Sequence, residues 1–253
     1  MRIFIETDLE GISGVSKIEQ VADRDDYTLA RLMCDTNAAI RGFLDGGADE
    51  VLVRDGHGGG SNFPAGSLDP RAVQITYHDD FIDSCDAVCV IGGHSMAGTE
   101  NAFLDHTQSS VAWHDYYING RRLGEMGQLG AFAGAHNLPF IMMSGDLSAA
   151  AEARACFGCI ETAVVKYADG RNNANCIPDD EAERLIYESA RRAVGLVGKI
   201  KPFRVTFPAK LEIEYNRADY LDNAMRSGRL ERVDARRAVR WAERFDSFYD
   251  LLP

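Results

Sequence analysis

Asp8-Leu9-Glu10 stands at the end of a run, Arg2-Ile3-Phe4-Ile5-Glu6-Thr7, that reads as a β-strand, and Gly11-Ile12-Ser13-Gly14 breaks the chain directly after it. Residues two apart in extended backbone project to the same side, so Asp8 and Glu10 aim two carboxylates at one spot. Like charges that close repel unless a cation lies between them, and a divalent metal is the simplest such cation. Acidic residues after a strand also cap helices or face water, so the pair alone leaves both readings open. Matching ligands further along decide between them.

Two more strands end in histidine. Val51-Leu52-Val53-Arg54-Asp55 runs into Gly56-His57-Gly58-Gly59-Gly60, and Val88-Cys89-Val90-Ile91 runs into Gly92-Gly93-His94. In a parallel sheet both histidines share an edge with Asp8 and Glu10, where α/β proteins place ligands, and the glycines let backbone come close to whatever lies there. A lone histidine after a strand is more often a hydrogen-bonded structural residue; two beside an Asp-x-Glu pair favour the metal reading. His106 follows in the loop Phe103-Leu104-Asp105-His106-Thr107, and Glu125 opens a helix of small residues in Gly124-Glu125-Met126-Gly127. Acids favour first helical turns on electrostatic grounds alone, yet a carboxylate between glycines also suits a crowded pocket. Mixed carboxylate and imidazole donors fit zinc, manganese or cobalt better than magnesium or copper(I).

With these pieces in order, the chain resembles the D-aminopeptidase family of dinuclear zinc peptidases. The matching segments are Asp8 to Gly14, Val51 to His57, Gly92-Gly93-His94, His106, Tyr117-Ile118-Asn119-Gly120 with Gly124 to Gly127, and Ala163-Val164-Val165-Lys166, spread over roughly the first 180 residues. The combination is specific where no single piece is. The resemblance implies that Asp8 bridges two zinc ions, that Glu10 and His57 complete one ligand set and His94 and Glu125 the other, and that His106 is the catalytic histidine outside the metal shell. It also implies release of amino-terminal D-amino acids, D-alanine above all, from short peptides or amino-acid amides, and a ring-shaped homo-oligomer, a decamer in the family. The chain departs from the family pattern in Leu9, where methionine is common, in a His94–His106 loop one residue longer, and in a shorter C-terminus.

The implied chemistry is attack of metal-activated water on a polarised carbonyl, with His106 moving a proton to the leaving amine or stabilising the oxyanion. Rival readings are a dinuclear phosphoesterase, another amidohydrolase and a non-catalytic metal- or ligand-binding protein. A phosphoesterase wants Arg or Lys beside the metals, and Arg54 is the one nearby candidate. Gly56 to Gly60 lacks the Lys-Ser/Thr of a nucleotide P-loop. Cys156-Phe157-Gly158-Cys159 follows a helical stretch and precedes a strand, the reverse of a thioredoxin-type pair, and no second close pair exists for a four-cysteine zinc site. His78 is a reserve ligand, His136 reads as a helix C-terminal residue, Lys166 as a member of a surface ion pair, and Trp113, Tyr116 and Tyr117 as core or interface packing.

The elements that position these residues alternate between strand and helix. A capped helix begins at Asp25-Asp26 with Leu29, Leu32, Met33, Ile40, Phe43 and Leu44 at helical spacing and stops at Gly46-Gly47. Val73 to Tyr77, Phe140 to Met143 and Glu161 to Lys166 read as further strands, Gly124 to His136 and Leu147 to Cys156 as helices. Val111 to Trp113 and Tyr116 to Ile118 read as antiparallel strands near a tight turn at Asn119-Gly120, and Pro178-Asp179-Asp180 starts an amphipathic helix. Lys210 to Tyr215 is an alternating strand and Ala235 to Tyr249 is expected as a charged helix. The fold class is therefore α/β, a mostly parallel sheet flanked by helices with a smaller α+β C-terminal portion, divided into a catalytic core over 1–200 and a portion over 201–253 packed on it. At 253 residues the chain has ample length for a core, and its net charge of −12 argues against nucleic acid or anionic membrane as partner. No signal peptide or membrane span is evident, and six cysteines without secretion signals read as reduced thiols, so the expected location is the cytoplasm.

Overall fold

Short β-branched runs separated by helices give a parallel sheet, and that sheet organises the chain. The structure is a computed structural model describing residues 1–79 and 82–252. Its strands are β1 (Arg2–Thr7), β2 (Glu50–Asp55), β3 (Val73–Ile75), β4 (Ala87–Gly93), β5 (Trp113–Ile118), β6 (Arg121–Arg122), β7 (Phe140–Asp146), β8 (Glu161–Ala168), β9 (Ala174–Cys176), β10 (Ala209–Tyr215), β11 (Glu231–Arg232) and β12 (Arg237–Ala242). The helices are α1 (Ile18–Asp23), α2 (Asp26–Asp45), α3 (Glu125–Ala135), α4 (Leu147–Phe157), α5 (Asp179–Ala193) and α6 (Ala218–Ala224). One sheet has the order β3-β2-β1-β4-β7-β8-β9, parallel except for β9, and a second, antiparallel sheet has the order β11-β12-β10-β5-β6.

Alternation along the strands sorts side chains into two cores. Ile3 and Ile5 of β1 join Val51, Val53 and Ile91 beneath α2 and α5, whereas Phe4 joins Leu52, Val88 and Val90 on the face covered by α3, α4 and the second sheet. Helix α2 starts where Asp25 accepts a hydrogen bond from the Thr28 N–H at 2.8 Å, and its buried Leu32, Met33, Ile40 and Phe43 form the stripe its spacing predicts. In the register, Thr7 stands opposite Asp55 on one side and Ile91 on the other. The ends of β1 and β2 are therefore level, β4 runs two residues further to Gly93, and the residues that follow all three emerge at one edge of the sheet. Strand β1 lies between β2 and β4, where the chain winds in opposite directions, the place where open sheets bind ligands.

Two expectations need correction. The stretch from Ala235 to Tyr249 contains no α-helix: Arg237–Ala242 is a strand, paired antiparallel with β10 from Ala209↔Ala242 to Glu214↔Arg237. The edge of β10 needs backbone partners, and Ala238, Val239 and Ala242 supply the buried positions of that strand. Charges that resemble a helical surface serve cross-strand pairs instead, as Arg236 does with Glu214 Oε1 at 2.7 Å. Likewise 113–118 is one continuous strand, and the tight turn at Asn119-Gly120, both with positive φ, joins it to β6.

Candidate metal centre

The ends of β1, β2 and β4 deliver Asp8, Glu10, His57 and His94 to one spot. Asp8 divides its carboxylate: Oδ1 lies 3.1 Å from His57 Nδ1 and Oδ2 lies 3.2 Å from His94 Nε2. Glu10 Oε2 stands 3.0 Å from the same His57 nitrogen, and Glu125 Oε1 stands 3.4 Å from the same His94 nitrogen. The result is two donor groups, Asp8/Glu10/His57 and His94/Glu125 with His106, sharing Asp8 between them. Glu125 arrives from the first turn of α3, and the Gln108 N–H donates to its Oε1 at 2.6 Å.

His106 stacks on His94, the ring centroids 4.0 Å apart and nearly parallel. Its Nδ1 is 2.8 Å from the Leu104 carbonyl, which can only accept, so Nδ1 carries a hydrogen, and Nε2 faces Glu125 Oε1 at 3.7 Å and Glu10 Oε1 at 3.9 Å. The Ser95 carbonyl, 3.0 Å from His94 Nδ1, fixes that ring the same way.

Loop 8–14 is held from below. Gly92 has φ +84°, its carbonyl accepts the Gly11 N–H at 2.8 Å, and a Cβ there would overlap the Asp8 carbonyl and meet Ile12 Cδ1 at 2.7 Å. Lys166 corrects the surface ion pair expected of it: it is fully buried, donating from Nζ to the carbonyls of Glu10 at 2.7 Å and Val15 at 2.5 Å, over the Phe103 ring. Burial brings its ammonium down to about 8, still above neutrality, so the charged form predominates at pH 7. Asp35 grips Ser13 through its N–H and hydroxyl at 2.8 and 2.6 Å, and burial pushes this carboxyl up to about 6. Glu152 accepts the Met96 N–H at 2.7 Å behind His94, and burial pushes it up to about 7. Asp35 and Glu152 lie in no motif read from the sequence, whereas Lys166 closes the family-like segment Ala163-Val164-Val165-Lys166, which does not by itself reveal its supporting role.

The electrostatics ask for positive charge. Burial opposes ionisation of Asp8, yet His57 and His94 hold its carboxyl well below the usual range. Burial likewise opposes protonation of His57, and Asp8 and Glu10 overcome it, raising the ring to about 10. His94 is raised in the same way by Glu125 and Asp8, against its own burial. Protons here stand in for a cation. Glu10 Oε2 and His94 Nε2 are buried and make no hydrogen bond despite their close neighbours, as expected of lone pairs that converge on an ion. Oxygen and imidazole donors without thiolate suit zinc.

The remaining histidines stand apart. His78 packs on Phe248 with centroids 4.2 Å apart and has Nε2 3.1 Å from Glu6 Oε2. His136, just past α3, lies 2.5 Å from Asp83 Oδ1 and 3.1 Å from the Phe245 carbonyl. His114 adjoins Asp115, which Arg122 already pairs. None of the six cysteines forms a disulfide.

Two cavities meet at the cluster. An inner one of about 220 Å³ lies between the sheet edge, α3 and the segment 248–252; an outer one of about 580 Å³ lies between loops 57–59 and 106–110. Arg54 is the only Arg or Lys among the described residues lining either, and Glu6 and the Thr76 carbonyl engage it. This does not favour phosphoester chemistry.

A family profile described as D-aminopeptidase matches residues 1–252. A curated relative, the D-aminopeptidase of Bacillus subtilis (strain 168), is 29% identical over 225 residues, covering 85% of this chain and 81% of its own length. Among solved structures, the Zn-dependent D-aminopeptidase DppA from Bacillus subtilis, titled a self-compartmentalizing protease, superposes with a TM-score of 0.92 at 25% identity, over 100% of this chain and 95% of that one.

Proposed function

The chain belongs to the D-aminopeptidase family and is a metallo-aminopeptidase, and from that premise we propose that it removes N-terminal D-amino acids, D-alanine among them, from short peptides or amides using two zinc ions per subunit. The observation that carries the reading is the divided carboxylate of Asp8, one oxygen toward His57 and the other toward His94. Asp8, Glu10 and His57 would hold one zinc ion, and Asp8, His94 and Glu125 would hold the other. When bound, zinc supplies Lewis-acid charge that polarises the scissile carbonyl and brings the pKa of water toward neutrality.

The chain's own groups do the rest. His106 holds its Nδ1 hydrogen on Leu104, so Nε2 is the atom that takes up a proton and returns it to the leaving amine. Stacking on His94 fixes the plane of that ring. Lys166 and Asp35 hold the loop carrying Asp8 and Glu10, so their carboxylates keep their places between substrates.

A His106→Ala variant tests the assignment by D-amino-acid release. It is expected to bind two zinc ions and lose roughly 10²–10⁴ in kcat. Zinc retention with full turnover overturns the acid/base role, and loss of one zinc would make His106 a ligand instead.

Assembly and location follow the family. We propose a closed homo-oligomeric ring, a decamer, in the cytoplasm. In support, the DppA structure is titled self-compartmentalizing, and no helix among the described residues is long and apolar enough to cross a membrane.

A further inference from the structure

His57 stands on a stretch of backbone that does little to hold it. Strand β2 ends at Asp55, and the Gly56 N–H still reaches the Thr7 carbonyl of β1 at 3.0 Å. Beyond it Gly58, Gly59, Gly60 and Ser61 take positive φ in succession, at 57°, 84°, 90° and 72°. Glycine reaches such angles freely but loses more conformational freedom on folding than any other residue, so a run of three does not fix a neighbouring side chain by itself. Ser61, which has a Cβ, is strained at such an angle and stays there only where its surroundings over-determine it.

Asn62 supplies what the loop lacks. Its side chain is buried, 1% exposed. Its Nδ2 donates to the His57 carbonyl at 2.8 Å and to Asp55 Oδ1 at 2.9 Å, and its backbone N–H donates to Asp55 Oδ2 at 2.5 Å. Its Oδ1 accepts from Arg24 Nη1 at 3.1 Å. These partners settle which way the amide points: a carbonyl and a carboxylate accept and a guanidinium only donates, so nitrogen faces the first two and oxygen the third. The Gly60 N–H closes on the same His57 carbonyl at 3.0 Å, and Arg24 lies over the loop, its Nη2 2.5 Å from where a Cβ on Gly58 would stand.

We propose that Asn62 is the positioning residue of the His57 zinc site: by tying the His57 carbonyl to Asp55 at the end of β2, it gives a glycine loop the rigidity that ligation needs. The proposal rests on the metal reading above. At the other end of the same residue, His57 Nδ1 faces Asp8 Oδ1 at 3.1 Å and Glu10 Oε2 at 3.0 Å, so a shift of the backbone moves the imidazole against both carboxylates. His94 needs no such support. It follows directly on β4, and the Ser95 carbonyl holds its ring at 3.0 Å. The influence of Asn62 therefore falls on one of the two zinc ions.

Zinc titration of the metal-free protein, read together with its thermal unfolding, tests this. Asn62→Asp keeps the size of the side chain but turns the donor nitrogen into an oxygen facing two acceptors. It is expected to lower Tm and to weaken one of the two zinc-binding steps about 10–100-fold, leaving the other unchanged. The double exchange Asp55→Asn/Asn62→Asp restores a hydrogen bond between the two side chains but no donor to the His57 carbonyl. It is expected to recover Tm while the zinc step stays weak, which a merely structural role does not produce. Asn62→Ser, which keeps the backbone bond to Asp55, is expected to weaken the same step and serves where the charged variant does not fold. Zinc affinity that recovers along with Tm in the double variant, equal weakening of both steps, or unchanged affinity in Asn62→Ser overturns the positioning role with the metal centre intact. Wild type that binds no zinc, or binds it unchanged after Asp8→Ala, overturns the metal reading and the proposal with it.

Discussion

Replacing Lys166 with Met removes the clamp beneath the metal-binding loop while keeping the length and apolar stem of the side chain. The variant leaves the Glu10 and Val15 carbonyls buried without the donor that meets them at 2.7 and 2.5 Å. An orphaned buried acceptor costs about 1–3 kcal/mol, so two cost roughly 2–6 kcal/mol. Against this stands relief from burying an ammonium, whose fall from 10.5 to about 8 corresponds to about 3 kcal/mol. The net loss is about 1 kcal/mol at mid-range, which is about 2–4 °C in Tm for a chain of this size. The larger effect falls on the metal, because Glu10 shares the backbone that Lys166 holds. Loss of such outer support weakens metal affinity about 10–100-fold. Calorimetry of the zinc-free protein gives the first quantity, and titration in zinc buffers gives the second. A variant with unchanged Tm and unchanged zinc affinity refutes the clamp.

Three further outcomes follow from the geometry. Gly92→Ala forces a Cβ into the Asp8 carbonyl at a positive φ and is expected to abolish tight zinc binding, whereas Gly47→Ala, at φ +108° with nothing within 4 Å, carries only the backbone strain of about 1–3 kcal/mol; equal effects in equilibrium unfolding would contradict the close approach. Glu152, raised from 4.5 to about 7, favours the folded state most when protonated, so its contribution is complete below pH 4.5 and is lost as pH rises through about 7. Denaturation of Glu152→Gln and wild type across that window should show the variant gaining about 3 kcal/mol relative to wild type, and a flat difference would sink the assignment.

The part of the site carried by strand ends was legible because the strands are short apolar runs closed by glycine, which fixes where each ends. Parallel registration then makes Asp8, His57 and His94 neighbours without further information. Glu125 and His106 were visible only as candidates, because their positions depend on a helix start and a loop that no period reveals, and the resemblance supplied their roles. Lys166 was misread because a lysine at the end of a strand is ordinarily solvated; only three-dimensional packing shows loop 8–14 folding over it. The C-terminal strand was misread because Arg-Ala-Val-Arg-Trp-Ala satisfies helical and strand patterns alike, and the free edge of β10 decides between them. The inner cavity was invisible for the same reason, since its walls join residues near 6, 54, 90, 126 and 248.

The central claim is that this chain cleaves D-aminoacyl amides with zinc held around Asp8. The most direct measurement is amino-acid release from matched D-alanyl and L-alanyl amides by the protein as purified, after chelation, and after zinc is restored with metal content counted. The account predicts loss on chelation, recovery at two zinc ions per chain, and preference for the D form. Turnover that survives chelation, or recovers with the L form preferred, would contradict it.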